Sequence, residues 1–390
     1  MRIGLVGAGF AARFHLDAYQ RVYGVPIEVV GVTSTRAASR EAFAAEHHLR
    51  AFPDLAALVA AVDVVDVCSP GNTHEAVACQ ALAAGRHVIL EKPFTGAYQA
   101  GLVTGSESER VAHAATALRA VQASCQRMRD AAHTSGKVLC YAENWIYAPA
   151  VQKQREILEK SGAQILRMLG EESHSGSHAP SYGVWAQSGG GALASKGCHP
   201  LSAALYFKFV EGRARLGRPI LPRTVTARTH RLTQLPAYQD RGHLRTAYAD
   251  TEDCSMMHVV FDDGTVADIL ASDVVLGGVA NWIEVFANDH RTRCNLNPID
   301  ALETFSPAET TLRDVYVVEK LSPKQGWMRP APDEGWMHGY PQEIQAFVEA
   351  IAGGRAPESS LDLGQAVALT LYAAYLSAAQ RGREVEVPNG

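Results

Sequence analysis

Arg2-Ile3-Gly4-Leu5-Val6-Gly7-Ala8-Gly9-Phe10-Ala11-Ala12 opens the chain, and its reading decides the fold. Residues 2–6 form a short apolar run suited to a buried parallel strand. A G-x-G-x-x-A turn follows, then a helix-like stretch, then a second strand over Ile27–Val32. Gly7 permits the tight turn, Gly9 lets the backbone approach a pyrophosphate, and Ala12 allows close helix–strand packing. Phe10 and Ala11 begin a helix whose free N–H groups face the phosphate charge. A dinucleotide site is therefore expected here, with a purely structural turn as the plainer alternative.

The residue that reads the adenosine ribose should end the second strand. A carboxylate is usual there for NAD. This chain has Thr33-Ser34-Thr35-Arg36 instead. Ser34, Thr35 and Arg36 are candidate ribose contacts, and hydroxyls with a guanidinium tolerate a 2′-phosphate. The expected cofactor is NAD or NADP, with a slight lean to NADP.

Further strands are expected over Asp63–Cys68 and His87–Leu90, with a helix from Glu75 to Ala84 stopped by Gly85. Strands alternating with helices make a doubly wound parallel sheet of α/β class, whose ligands lie beyond the strand ends. Lys92, in Glu91-Lys92-Pro93, stands at such an end. A partly desolvated lysine beside a cationic ring is expected to have a lowered pKa, suited to proton exchange. A structural Lys92–Glu91 bridge is the alternative.

Composition narrows the classes. The chain has 390 residues, 47% hydrophobic and 20% charged, with a formal net charge of -5. That length suggests two domains, and the acidic balance argues against a nucleic-acid partner. Seven cysteines without a Cys-x-x-Cys pair fit reduced thiols in a cytoplasmic protein. No apolar run is long enough for a membrane span. Gly7 and Gly9 break the only stretch that could mimic a signal peptide.

The motif set resembles the Gfo/Idh/MocA family of oxidoreductases. The matching pieces are residues 7–12, Ser69-Pro70 with His74, Ala84-Gly85-Arg86-His87-Val88, and Glu91-Lys92-Pro93. The likeness continues through Gly189-Gly190-Gly191 to His199, then Glu343–Phe347 and Ala373–Ser377. It implies that Lys92 contacts a substrate hydroxyl and the nicotinamide region. It also implies cofactor contacts from Ser69, Pro70, Asn72, His74 and Glu91, and hydroxyl recognition by Glu172, His174 and His178. His199 matches the family's active-site histidine. The family's aspartate falls at Ser195, and a second common aspartate falls at Ser202. A serine cannot serve as a carboxylate base, so Lys92 and His199 act alone or Glu172 substitutes.

Glycines 189–191 are expected to leave space for a bound ligand. The helix after them should carry Ser195 and His199 on one face, with Lys196 pointing away. Glu172, His174, Gly176 and His178 would alternate onto one face of an extended strand. They could also form a divalent metal site, but no close-packed ligand motif supports one. Asn144, Trp145 and Tyr147 are candidate sugar contacts, or else fillers of a domain junction.

A dinucleotide-binding domain over 1–143 and an α+β domain over 144–390 are expected. Residues 96–122 read as an insertion that caps the cofactor cleft or touches another subunit. After residue 220, period-two strands with an Asp262-Asp263-Gly264 hairpin predict a large, mostly antiparallel open sheet. The resemblance implies homodimers or homotetramers through that sheet. It also implies a dehydrogenase or reductase acting on a sugar, cyclitol or glycoside hydroxyl. Two rivals are a glycosidase running a closed redox cycle on bound NAD, and a non-catalytic cofactor sensor.

Overall fold

The computed structural model describes all residues except 100–104, 178, 298–301, 318–319, 321–323 and 389–390. Six strands run parallel: β1 (Arg2–Val6), β2 (Glu28–Thr33), β3 (Arg50–Ala51), β4 (Val64–Val67), β5 (His87–Glu91) and β6 (Leu139–Ala142), of which β1, β2, β4 and β5 are valine- and isoleucine-rich. Their order is β3-β2-β1-β4-β5-β6. The order reverses between β1 and β4, which is where ligands bind in such sheets. The intervening helices are α1 (Phe10–Tyr19), α2 (Ala37–Glu46), α3 (Leu55–Ala61), α4 (His74–Ala83) and α5 (Glu107–Ser135).

A Ser106–Glu109 capping box starts α5, which packs against α4. Residues 107–122, which the sequence reading placed in an insertion, form the first half of this helix. The Gly/Ser/Thr-rich piece ahead of it falls largely outside the described residues.

The chain then crosses through α6 (Asn144–Tyr147) and α7 (Pro149–Ser161) into β7 (Ile165–Ser173), followed by α8 (Trp185–Ser188), α9 (Ala192–Ser195) and α10 (Cys198–Leu216). Strands β8 (Pro222–His230), β9 (Cys254–Phe261), β10 (Val266–Ser272), β11 (Ala280–Ala287) and β12 (Arg291–Asn295) extend a second sheet. The small pair β13 (Thr304–Ser306) and β14 (Gly326–Met328) precedes α11 (Glu334–His338), α12 (Tyr340–Ala352), α13 (Leu361–Ala379) and β15 (Val385–Glu386).

The second sheet runs β12-β11-β7-β10-β9-β8-β15, with β7 and β10 parallel and the other pairs antiparallel. The hairpin at 262–264 closes through Gly264 at φ 82.

The last helices do not stay with this sheet. α12 packs on α1, and α13 packs on α5 and β6 as well as β8. Phe14 stacks on Tyr340 at 4.9 Å, tying α1 to the start of α12. Among the described residues, no helix is long and apolar enough to cross a membrane.

Candidate active site

Gly7 has φ +114, and a Cβ there would lie 2.6 Å from the Cys68 carbonyl oxygen. Only glycine lets β1 turn so close to the end of β4. Around Gly9 nothing lies within 4 Å of an added Cβ, and α1 has neither a side-chain cap nor an acid in its first turn. Open space above uncapped N–H groups fits a pyrophosphate. Phe10 is 69% exposed at that rim, whereas Ala12 is fully buried against the sheet.

At the ribose end, Thr35 and Arg36 are exposed and Ser34 is half-buried. The Ser34 hydroxyl donates to the Arg36 carbonyl. Arg40, which the sequence reading passed over, braces the loop by donating to the Ser34 and Pro53 carbonyls. After β4, Pro70 and Asn72 are exposed, and the hydroxyls of Ser69 and Thr73 are 2.6 Å apart.

Two expected cofactor contacts, His74 and Glu91, brace the Lys92 turn. His74 is fully buried, its ring nitrogens 2.8 Å from the Pro93 carbonyl and 2.9 Å from the Ser69 carbonyl. It locks the turn after β4 to the turn that carries Lys92. Glu91 accepts from the Lys92 backbone N–H at 2.8 Å and lies 3.1 Å from His15 Nε2. His15, buried in α1, bonds Asp66 through Nδ1, and Tyr19 donates to the same carboxylate. Burial lowers the His15 pKa, but Asp66 and Cys68 outweigh it and hold it well above the usual value. This charged brace behind Lys92 was missed, because its members lie far apart in sequence.

Lys92 projects from that brace, and its Nζ donates to the Ser195 carbonyl at 3.1 Å. Burial pulls its pKa down, yet Tyr182, Cys198, Glu172 and Glu91 together hold it well above the ordinary lysine value. That direction is opposite to the one expected for a lysine beside a cationic ring. Tyr182 and Cys198, with the carboxylates of Glu172 and Glu91, keep Lys92 a cation that donates hydrogen bonds.

The glycine run also has a different cause from the one expected. A Cβ at Gly190 would sit 2.2 Å from the Tyr375 hydroxyl, and one at Gly191 2.1 Å from the Glu252 carbonyl. The missing side chains admit protein groups, not a ligand. Fully buried Glu252 accepts from the N–H groups of Gly191 and Leu193 and from the Tyr375 hydroxyl. Burial pushes its carboxyl up to about 7.

This group has a consequence for stability. Between the ordinary 4.5 and about 7, the native chain keeps a proton that the unfolded chain releases. Stability should therefore fall as pH rises through that window, by up to about 3 kcal/mol. Thermal melts from pH 4.5 to 8 test this, and Glu252→Gln should flatten the dependence.

The helix expected to carry both Ser195 and His199 is broken. α9 ends at Ser195, Lys196 leaves helical geometry, and α10 starts at Cys198. Ser195 Oγ donates back to the Gly191 carbonyl at 2.8 Å. Lys196 does not point away. It is buried, its Nζ 2.6 Å from Asp273 and 3.4 Å from Ser195 Oγ.

His199 stacks on buried Trp145 at 5.9 Å and donates from Nδ1 to Glu143 at 2.6 Å. Its Nε2 lies 3.8 Å from Glu172 Oε2, a buried oxygen with no hydrogen-bond partner. Burial lowers the imidazole pKa, but Glu143 and Glu172 turn the balance upward. Burial raises Glu172, against the pull of His199, Lys92 and Lys196. Glu143 escaped the sequence reading, which took residue 143 for a domain boundary.

The remaining candidates separate. Tyr147 is buried, its hydroxyl accepting from Ser359 N–H, so it fills the junction. Asn144 donates to the His338 carbonyl at 2.9 Å. The alternation after Glu172 stops at Ser173: His174 leaves the strand and accepts from Gly176 N–H, where φ is +108. His178 lies outside the described residues.

Residues 1–118 match the family model described as "Oxidoreductase family, NAD-binding Rossmann fold", of the GFO_IDH_MocA group. It is the nucleotide-binding part of the chain that matches this family. Among relatives, the chain is 40% identical over 111 residues to UDP-N-acetylglucosamine 3-dehydrogenase of Acidithiobacillus ferrooxidans, matching 28% of this chain and 34% of that one. It is 30% identical over 221 residues to D-glucoside 3-dehydrogenase of Escherichia coli, matching 53% of each. The chain thus spans about a third to a half of these relatives. The solved structure of GenD2 from gentamicin A biosynthesis, in complex with NAD, superposes with a TM-score of 0.77 at 26% identity, covering 100% of this chain and 96% of that one.

Proposed function

We propose that this chain is a Gfo/Idh/MocA-type dehydrogenase or reductase that moves hydride between a nicotinamide and a secondary hydroxyl, or keto group, of a sugar, cyclitol or glycoside. One observation carries the reading. Lys92, from the cofactor half, reaches the Ser195 carbonyl, four residues before His199 in the other half. A bound nicotinamide dinucleotide would be held by Gly7, Gly9 and the start of α1, and would supply the hydride acceptor or donor.

The chain's own groups handle the proton. The Lys92 ammonium donates to the substrate oxygen and stabilises negative charge developing there. Glu172, with an unpartnered oxygen beside His199, receives the proton on oxidation and returns it on reduction. Glu143 fixes the ring that Glu172 faces. Glu172 thus takes the place of the carboxylate missing at Ser195.

Three dehydrogenases acting at a sugar C3 position lie among the relatives, which favours a glycoside or sugar nucleotide. Free thiols at all seven cysteines support a cytoplasmic setting. Exposed Leu166, Met256 and Leu270 on the second sheet support a homo-oligomer.

A screen of sugars, inositols and glycosides with both cofactors, followed at the reduced-nicotinamide absorbance, tests the reading. Product formed without net absorbance change would point to the closed cycle of a glycosidase. In the same assay, Arg36→Ala should weaken NADP roughly tenfold and leave NAD unchanged. Equal effects on both would remove the lean to NADP.

A further inference from the structure

We infer that His338 is a substrate-contacting residue whose Nε2 hydrogen-bonds a neutral hydroxyl of the sugar or cyclitol, an assignment that rests on the function proposed above. His338 ends α11, far in sequence from every other residue of the site. Its backbone is held from both sides. Upstream, Asp333 caps α11 through Trp336 N–H at 2.9 Å and pairs with Arg21, just past α1, at 2.8 Å. Downstream, Gly339 has φ +92, and an added Cβ would lie 2.4 Å from the Asn144 carbonyl and 2.5 Å from Ala148 N. The Asn144 amide holds the His338 carbonyl itself. The ring thus springs from a backbone fixed to α6, adjoining Glu143, which holds His199.

Nε2 of His338 is buried without a hydrogen-bond partner, while the ring as a whole keeps partial exposure. A buried polar atom facing no protein partner calls for a ligand or water. Burial pushes the ring's pKa down to about 4, and the charge of nearby His199 pushes it the same way. The ring is neutral at physiological pH, with one donor and one acceptor nitrogen. That pairing suits a hydroxyl, which both donates and accepts. It offers a carboxylate or phosphate no charge.

Two variants separate hydrogen bonding from packing. His338→Phe keeps the ring and loses the nitrogen, and His338→Gln keeps a polar group at similar reach. Calorimetry would measure binding of each compound in the panel to enzyme carrying reduced cofactor, alongside kcat, KM and binding of the cofactor alone. The expected result is a ~10–100-fold loss of sugar affinity, with a matching rise in KM, in the Phe variant. Gln should recover most of it, and cofactor affinity should hold in both.

A wild-type-like Phe variant would overturn the assignment while leaving the proposed function standing. So would loss of cofactor affinity, which would make His338 part of the framework. If the wild type binds no compound in the panel, the proposed function falls and His338's role falls with it.

Discussion

Lys92→Ala should cut kcat by ~10²–10⁴-fold while leaving cofactor affinity unchanged. The cofactor is gripped at the β1–α1 turn, and Lys92 stands apart from it at the end of β5. Removing the ammonium deletes the donor for the substrate oxygen. It also removes a cation that holds Glu172 ionised, so the proton acceptor is weakened as well. Lys92→Arg should not restore turnover, because a guanidinium's fork cannot replace a compact ammonium donating to the Ser195 carbonyl. Stopped-flow turnover with a parallel cofactor fluorescence titration reads both quantities. Turnover within a few-fold of wild type would take Lys92 out of the chemistry.

Gly191→Ala should destabilise the fold by about 3 kcal/mol or more, and the protein is expected to express poorly. The new methyl would press on the Glu252 carbonyl at 2.1 Å and on its carboxylate at 2.6 Å. Neither group can retreat, since Glu252 is anchored by two backbone N–H groups and Tyr375. Urea midpoints test this, with Gly9→Ala as the control because nothing lies near its Cβ. Equal midpoints for Gly191→Ala and wild type would mean that Glu252 is not wedged there.

The doubly wound parallel sheet was legible because each β–turn–α unit is written locally. The strand boundaries fell within about two residues for β2, β4 and β5. The site was legible only where a motif is contiguous, as at Gly7–Ala12 and Glu91-Lys92-Pro93. Glu143, Lys196 and His338 were misread or missed for one shared reason: their meaning depends on partners far along the chain. Helical periodicity placed Lys196 opposite Ser195, but the break at residues 196–197 redirected it to Asp273. Glycines 189–191 raised the right question. Its answer lay in Glu252 and Tyr375, which no local pattern ties to them.

The return of α12 and α13 to the first sheet bears on how such chains can be recombined. Grafting this nucleotide half onto another relative's second sheet cannot succeed with a single crossover near residue 143. The donor of residues 1–143 must also contribute the stretch from about residue 340 to 379, or α1 and α5 meet foreign surfaces. Swappable modules in this architecture are therefore discontinuous, and a library built on linear halves would consist mostly of insoluble hybrids.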